Sequence, residues 1–249
     1  MEWFQWPMVV AAGLVCGFIN TLAGSGSLIT LPLLIFIGLP ANVANGTNRV
    51  AILLQNVVAV RGFHKQGVLD WRGGRWLLLP ALLGAVLGAR LAVTLDERAM
   101  RLAIAVVMLA MLAVLLIKPN RWLKGGEQSL PAWLGWLIFF VVGIYGGFIQ
   151  AGVGIFLLAA LVLAAGYDLI RANALKVLVV LGFTPLALAI FVLEDMVAWG
   201  VGLVLALGNM TGAWLGTKAA VKGGAPFIRW LLIVVVAVSA IKLLWDAFA

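Results

Sequence analysis

The sequence predicts an all-α fold, that of a polytopic helical membrane protein, and three observations carry this prediction. Of the 249 residues, 65% are hydrophobic and only 10% are charged, whereas a soluble domain carries about 25% charged residues. Apolar runs close to the ~20 residues that cross a bilayer recur along the whole chain. These runs are continuous and do not alternate, which excludes a transmembrane β-barrel.

Charged residues, prolines and glycines divide the chain into apolar segments, two of which are interrupted by glycines. The predicted segments of the first half are 7–20, 27–37, 43–60, 74–95 and 99–117. Those of the second half are 131–150, 155–165, 170–193, 197–220 and 226–248. Residues 118–130 form a polar linker between the halves. We therefore predict one transmembrane domain, 1–249, with a first repeat at 1–117 and a second at 131–249.

The two halves are an internal repeat that one shift of the sequence aligns over most of its length. The shift that places Gly24 on Gly152 also pairs Gly38 with Gly166 and Asn45 with Asn173. It further pairs Trp71 with Trp199, Gly84 with Gly212, Gly88 with Gly216 and Arg101 with Arg229. Chance matches aliphatic residues in such a chain, but it does not match Gly, Asn, Trp and Arg in order. The sequence thus predicts a duplicated unit.

The distribution of Lys and Arg predicts that the two repeats are inverted. Basic residues concentrate in cytoplasmic loops. The first half carries a cluster of Lys and Arg between residues 61 and 75, whereas the equivalent loop of the second half has Glu194 and Asp195 and no basic residue. The next pair of loops reverses this bias. Equivalent loops are therefore expected on opposite sides of the membrane, with 61–75, the linker 118–130 and the turn 166–170 in the cytoplasm.

Inversion predicts that each interrupted segment is a re-entrant hairpin. If the loops lie as above, 131–165 begins and ends on the cytoplasmic side and 7–37 begins and ends outside. The tips would then be Gly152-Val153-Gly154 and Gly24-Ser25-Gly26. A tilted helix with a glycine kink at each break, giving parallel repeats, is the alternative that the sequence leaves open.

The hairpin tips are the predicted binding site. Non-helical backbone inside a bilayer is tolerated only where protein or a water-filled cavity satisfies it, and a helix N-terminus offers unpaired N–H groups and partial positive charge. Ser25 and Ser27 can cap the helix or donate to a ligand, while Val153 and Ile155 replace them in the second repeat. Small residues can also serve helix packing alone.

Polar and ionisable residues within the apolar segments are few, and an ionisable one is a functional candidate. Arg49 and Lys176 follow the paired asparagines by one turn, and both are cationic, which predicts an anionic cargo. Either could instead extend to a nearby surface, and Arg90 and Lys218 are interpreted as interfacial. The candidate substrate-binding residues are Asn20, Gly24, Ser25, Gly26, Ser27, Asn45, Asn48, Arg49, Gln150, Gly152, Gly154, Asn173 and Lys176.

Several function classes are excluded by what the sequence lacks. None of its acidic residues lies in mid-segment, so the carboxylates that usually relay protons or bind sodium are missing. No P-loop or hydrolase motif occurs, so we expect no enzyme activity, no catalytic residue and no cofactor. Cys16 is the only cysteine, which excludes a cysteine metal cluster, and no metal site is expected. The net charge of +8 sits at segment ends, which indicates orientation in the membrane and no nucleic-acid partner.

The residues 17–49, GFINTLAGSGSLITLPLLIFIGLPANVANGTNR, and their counterpart in 147–176 resemble the TauE/SafE family of sulfite-exporter-like membrane permeases. The likeness covers essentially the whole chain. It implies transport of sulfite, sulfoacetate or other small sulfur-containing or carboxylate anions across the bacterial inner membrane, usually as export. This sequence has Gly-Ser-Gly and Gly-Val-Gly at the breaks, where some members carry a fuller glycine run.

The resulting hypothesis is a secondary transporter that exports a small anion, sulfite or an organosulfonate such as sulfoacetate, by alternating access. The anion would lie between the two hairpin tips. The expected partners are this anion and the lipid bilayer of the bacterial inner membrane, and the apolar faces leave a homodimer open. A passive anion channel, or an uptake permease for a small carboxylate or sulfur anion, is the alternative.

Overall fold

In a computed structural model of the protein, the described residues are 5–116 and 131–248. Within them, side chains are not described at Gln5, Arg72, Gly74, Arg75, Met108, Leu109, 111–116 and 224–248. The predicted linker 118–130 lies outside the described residues.

The described backbone is helical, with no strand in 5–116 or 131–248. In the first half the helices are α1 (Gln5–Ala23), α2 (Ser27–Phe36), α3 (Ala41–Lys65), α4 (Trp71–Val93) and α5 (Glu97–Leu116). In the second half they are α6 (Ala132–Phe148), α7 (Val153–Ala159), α8 (Leu169–Leu193) and α9 (Trp199–Phe248), and a π-helical turn (Ala160–Ala164) extends α7. This architecture confirms the predicted all-α class.

Three of the described helical stretches are long and apolar enough to cross a bilayer, namely Trp6–Ala23, Trp76–Val93 and Leu169–Leu193. The other parts of the interrupted segments are shorter apolar helices, Ser27–Phe36, Ala132–Phe148 and Val153–Ala164. The predicted polytopic membrane protein is therefore confirmed. Helix α3 is of similar length but carries more of the described buried polar side chains than any other helix, so it brings polar groups into the interior.

One predicted helix end is wrong. The glycines and the proline at 223–226 predicted a break between two segments, 197–220 and 226–248, but the backbone is helical throughout Trp199–Phe248. Gly and Pro lower the helix propensity by about 1 and 3 kcal/mol without forbidding helical dihedrals. The apolar stretches on both sides, rich in strong helix formers, outweigh that cost.

Each interrupted segment folds back on itself. The Cys16 Sγ of α1 lies 3.8 Å from the Thr30 Oγ1 of α2. In one continuous helix these residues would be separated by about 21 Å along the axis, because each residue rises 1.5 Å. In the second half, the Tyr145 ring of α6 packs edge-on against the Phe156 ring of α7, with centroids 5.2 Å apart. Both segments are therefore hairpins in the structure, not kinked rods.

The tips of the two hairpins contact each other directly through their backbones. The N–H of Gly154 donates to the carbonyl of Gly24 at 3.2 Å. A Cβ on either glycine would overlap the backbone of the other, so both positions require the absence of a side chain. Gly24 also has a φ of +77°, and the equivalent Gly152 has +74°, a region that glycine enters without steric cost.

The equivalent helices α3 and α8 run in opposite directions. Near the start of α3, the Thr47 hydroxyl accepts from the N–H of Ala198, just beyond the end of α8. Past the end of α3, Asp70 accepts from the Tyr167 hydroxyl, just before the start of α8, at 3.4 Å. Partial burial and the Asp70 carboxylate raise the pKa of Tyr167, so its phenol stays protonated as a donor. The antiparallel arrangement agrees with the predicted inversion, whose sidedness in the membrane stays a prediction.

Two close helix crossings hold the hairpins in the molecule. Gly13 and Gly17 of α1 lie against the backbone of α9, and Gly84 and Gly88 of α4 lie against the backbone of α6. Small residues allow the two helix backbones to approach closely. Membrane helices usually associate in this way, because burying apolar side chains gains little free energy inside a lipid bilayer. Each half therefore packs its first helix on the fourth major helix of the other half.

The contact between the tips predicts that a single methyl group there destabilises the protein. Gly154→Ala places a Cβ on the Gly24 backbone, and such overpacking costs about 1–3 kcal/mol. We expect a lower melting temperature in detergent, measured by tryptophan fluorescence. Gly200→Ala is the matched control, because nothing lies within 4 Å of its Cβ. Equal melting temperatures for the two variants would contradict the contact.

The inverted repeat predicts opposite accessibility for two equivalent loops. Lys65→Cys and Glu194→Cys place thiols at exposed positions, while the native Cys16 is buried and gives a low background. With a membrane-impermeant maleimide on intact cells, Glu194→Cys should be labelled, and Lys65→Cys should be labelled only after permeabilisation. Labelling of both from the same side would refute the inversion.

Candidate functional site

A small cavity lies where the two tips meet. Its volume is about 10 Å³, which is space for roughly one water molecule. It is lined by Asn20, Gly24, Ile52, Asn56, Gln150, Val153, Gly154, Lys176, Val177 and Val180. The lining thus combines both hairpin tips with the inward faces of α3 and α8, and it contains one cationic side chain.

That cation, Lys176, is buried and holds the C-terminal end of α1. Its Nζ donates to the carbonyls of Asn20 and Thr21, both at 3.0 Å, and to the Asn173 Oδ1 at 2.6 Å. The last carbonyls of a helix have no partner within the helix, and here they end inside an apolar segment. Lys176 therefore gives these carbonyls a cationic donor, and it also lines the cavity.

Arg49 performs the same task for α6 and does not line the cavity. Its guanidinium donates to the carbonyls of Gly146 at 3.2 Å, Gly147 at 2.5 Å and Phe148 at 3.3 Å. Asn45 assists by donating to the Phe148 carbonyl at 2.8 Å. Arg49 also lies over the Phe191 ring, 4.6 Å from its centroid. Arg49 and Asn45 together thus satisfy the last three carbonyls of α6.

The two cations form a matched arrangement across the halves. The C-terminal end of a helix carries partial negative charge, and each interrupted helix has a cation from the opposite half placed against that end. Arg49 of the first repeat stabilises α6, while Lys176 of the second repeat stabilises α1. Each cation therefore satisfies backbone carbonyls and offsets the negative end of the helix dipole. In each case the helix belongs to the other half of the chain.

Buried groups without a partner are concentrated in the same region, and most of them can donate a hydrogen bond. Among the described side chains, the buried donors with no hydrogen bond inside the protein are Thr21 Oγ1, Ser25 Oγ, Ser27 Oγ, Asn48 Nδ2, Arg49 Nε and Asn173 Nδ2. Buried polar groups are nearly always paired. Two of these free donors lie on the tip at Gly24–Ser27, where they could donate to an acceptor such as an anion.

The neutral amides of the tips are tied to the helices behind them. Asn20 donates to the Gln55 Oε1 at 3.3 Å, and that oxygen also accepts from Asn209 at 3.2 Å. In the second half, Gln150 donates to the Thr184 hydroxyl at 2.7 Å. These bonds fix the orientation of each tip relative to α3 and α8.

The structure places some predicted residues at the cavity and the others around it. The predicted residues that line it are Asn20, Gly24, Gln150, Gly154 and Lys176. The remainder surround the tips or the helix ends without lining the cavity, and they are Ser25, Gly26, Ser27, Asn45, Asn48, Arg49, Gly152 and Asn173. Asn48 accepts from the Thr30 hydroxyl at 2.7 Å, and Gly26 packs on Cys16.

Asn56 is a cavity residue that the candidate set omitted. It lies on the same face of α3 as Asn45, Asn48 and Ile52, since residues three, four, seven and eight apart share a face. Its Nδ2 donates to the Ile52 carbonyl at 2.8 Å. The helical spacing of polar residues along 45–56 was the signal that could have identified it.

The described residues contain no group of three or more His, Cys, Asp or Glu side chains that could hold a metal ion. The chemistry of the site is thus that of hydroxyls, amides and two cations.

Comparison with protein families identifies the family to which the chain belongs. A family model described as "Sulfite exporter TauE/SafE" matches residues 9–243. The chain belongs to the TauE/SafE family. This confirms the resemblance carried by the glycine-broken segments, and no solved structure matches the chain.

Curated relatives of this TauE/SafE protein are named as transporters. The chain is 29% identical to "Probable membrane transporter protein ORF9" of Sinorhizobium sp., over 94% of this chain and 90% of that protein. It is 29% identical to a "Probable membrane transporter protein" of Haemophilus influenzae, over 96% and 94%. It is 28% identical to "Probable membrane transporter protein YfcA" of Escherichia coli K12, over 94% and 87%. The protein is therefore a multi-pass membrane transporter.

The helix-end contacts predict that Arg49 is required for stability. Arg49→Ala leaves the buried carbonyls of Gly146 and Gly147 without their donor, and an unsatisfied buried group costs about 1–3 kcal/mol. We expect a clear loss of melting temperature in detergent. Arg90→Ala, at an exposed position of α4, is the control and should change stability by less than about 0.5 kcal/mol. Unchanged stability of Arg49→Ala would show that the carbonyls find other partners.

Proposed function

We propose that this TauE/SafE transporter exports a small oxyanion, sulfite or an organosulfonate such as sulfoacetate, by alternating access across the bacterial inner membrane. The cargo would bind between the two hairpin tips and cross without chemical change. The observation that carries the proposal is the set of unpartnered buried donors around the tips, next to a cavity that contains Lys176. The family description, which names sulfite export, supports the same class of cargo.

The electrostatics of the site favour an anion. Among the described residues, Arg49 and Lys176 are the buried cations, and no buried carboxylate accompanies them. Hydrogen bonds from neutral or cationic donors to an anion are stronger than those between neutral groups. The hydroxyls of Ser25 and Ser27 stand free at the start of α2, where the helix dipole adds partial positive charge.

The geometry also supports a moving site in preference to an open pore. A cavity of about 10 Å³ cannot hold an anion of several heavy atoms. The tips must therefore separate for cargo to enter, which involves the bond between the Gly154 N–H and the Gly24 carbonyl. Movement of one repeat against the other around a central site is the usual way that inverted repeats give alternating access.

Removing the serine hydroxyls of the tip tests anion binding without disturbing the folded protein. The substitutions Ser25→Ala and Ser27→Ala remove hydroxyls that make no hydrogen bond within the protein, so stability should be unchanged. Loss of one hydrogen bond to an anion costs about 1.5–3 kcal/mol. We therefore expect KM for sulfite to rise about tenfold or more for each variant. The measurement is uptake of radiolabelled sulfite into inside-out proteoliposomes, with sulfoacetate and short carboxylates as competitors.

Thr211→Ala is the matched control, because its hydroxyl is exposed and donates to the Leu207 carbonyl of its own helix. It should transport as the unmodified protein does. An unchanged KM in both serine variants would remove the tip hydroxyls from the site. Flux that does not saturate with sulfite would indicate a channel, and flux of carboxylates alone would indicate the alternative cargo.

A further inference from the structure

A second and much larger cavity lies between α3 and α9, away from the hairpin tips. Its volume is about 470 Å³, within the ~300–1,000 Å³ typical of small-molecule sites. Its charged lining residues are Arg61, Lys65 and Lys218, and Val58 and Trp214 contribute apolar surface. Neither the proposed cargo path nor the two helix-end cations involves these side chains.

Two facing pairs of side chains build this cavity. Arg61 and Lys65 are one turn apart on α3, and Trp214 and Lys218 are one turn apart on α9, so each pair shares a helix face. Between the pairs the helices touch, since a Cβ on Gly62 would lie 2.6 Å from the Thr217 Oγ1. Gln66 bridges the helices as well, donating to the Thr217 carbonyl at 3.4 Å. The residues of this close contact and the three cations therefore belong to one lining.

The distances along α3 and α9 indicate that the cavity lies at one boundary of the membrane. Arg61 follows the start of α3 by about 30 Å of helix, and Lys218 follows the start of α9 by about 28 Å, at 1.5 Å per residue. Both distances equal the ~30 Å thickness of the hydrocarbon core. Trp214, with 49% of its surface exposed, is the residue type that anchors at this level. Lipid headgroups occupy the same level.

The cations of the cavity are available for a ligand. Arg61, Lys65 and Lys218 are exposed, and the ion pairs found in the described part of the chain are Arg101–Glu97 and Arg171–Asp168, which do not include them. The contact of the Lys218 ammonium is the Trp214 ring, 3.5 Å from its centroid. Lys218 also lines the cavity, and within the described residues its ammonium makes no hydrogen bond to an oxygen.

We propose that this cavity binds a phosphate group, and specifically the headgroup phosphate of an anionic phospholipid. Arg61, Lys65 and Lys218 hold the phosphate oxygens, and the glycerol and first acyl carbons lie against Val58 and the exposed part of Trp214. A basic pocket between membrane helices is the structural form that anionic headgroups recognise. Free inorganic phosphate shares this chemistry but does not use the apolar wall.

The test is native mass spectrometry of the purified full-length protein with phosphatidylglycerol or phosphatidylcholine. The unmodified protein should retain phosphatidylglycerol at least fivefold better than phosphatidylcholine. Lys65→Gln and Lys218→Gln should each reduce this preference by about fivefold. Arg90→Gln is the control, because Arg90 is exposed and aligns with Lys218 in the other repeat, and it should retain the full preference.

Val58→Glu is a second variant that keeps every cation in place. It introduces a negative charge into the cavity and should also abolish the preference, so the proposal remains testable if a lysine variant does not insert correctly. In a third arm, millimolar inorganic phosphate is added. Displacement of phosphatidylglycerol only at high phosphate supports the lipid. Binding of phosphate without any lipid preference overturns the lipid as occupant, and equal retention of the two lipids or unchanged behaviour of Lys65→Gln, Lys218→Gln and Val58→Glu overturns the site.

Discussion

The fold depends on one constraint, that helices ending inside an apolar environment expose carbonyls which water cannot reach. Arg49 and Lys176 meet that need, each donating to the last carbonyls of a helix in the opposite half. The cost of burying a cation is offset by bonds that no neutral side chain could make to so many acceptors. The interrupted helices, the contact between their tips and the central cavity all follow from this exchange of cations between the halves.

Much of this arrangement was predictable from the sequence, because polar residues in an apolar chain are conspicuous. The breaks fall at Gly24 and Gly152 as expected, and the helices resume within two residues of the predicted positions. Rare polar residues within segments identified Lys176, Asn20 and Gln150 at the cavity. The antiparallel course of α3 and α8 agrees with an inversion inferred only from the charges of the loops.

What the sequence could not supply were contacts between residues far apart in the chain. Nothing local indicates that Arg49 reaches the end of α6 instead of the cavity, because the choice depends on how the halves interlock. Asn56 was overlooked because its polarity was not combined with the spacing along α3. The continuous α9 was missed because glycine and proline are weak predictors of a helix end when apolar residues flank them on both sides.

The backbone contact between Gly24 and Gly154 has a consequence for how the duplicated halves can diverge. Since each glycine occupies the space that a side chain on the other would need, neither glycine can be replaced by a larger residue without separating the tips. Replacement is permitted at nearby positions, where Ser25 and Ser27 in one copy correspond to Val153 and Ile155 in the other. Two identical copies of the unit would present matching chemistry on both sides of the crossing, whereas this chain presents serine hydroxyls at one tip only.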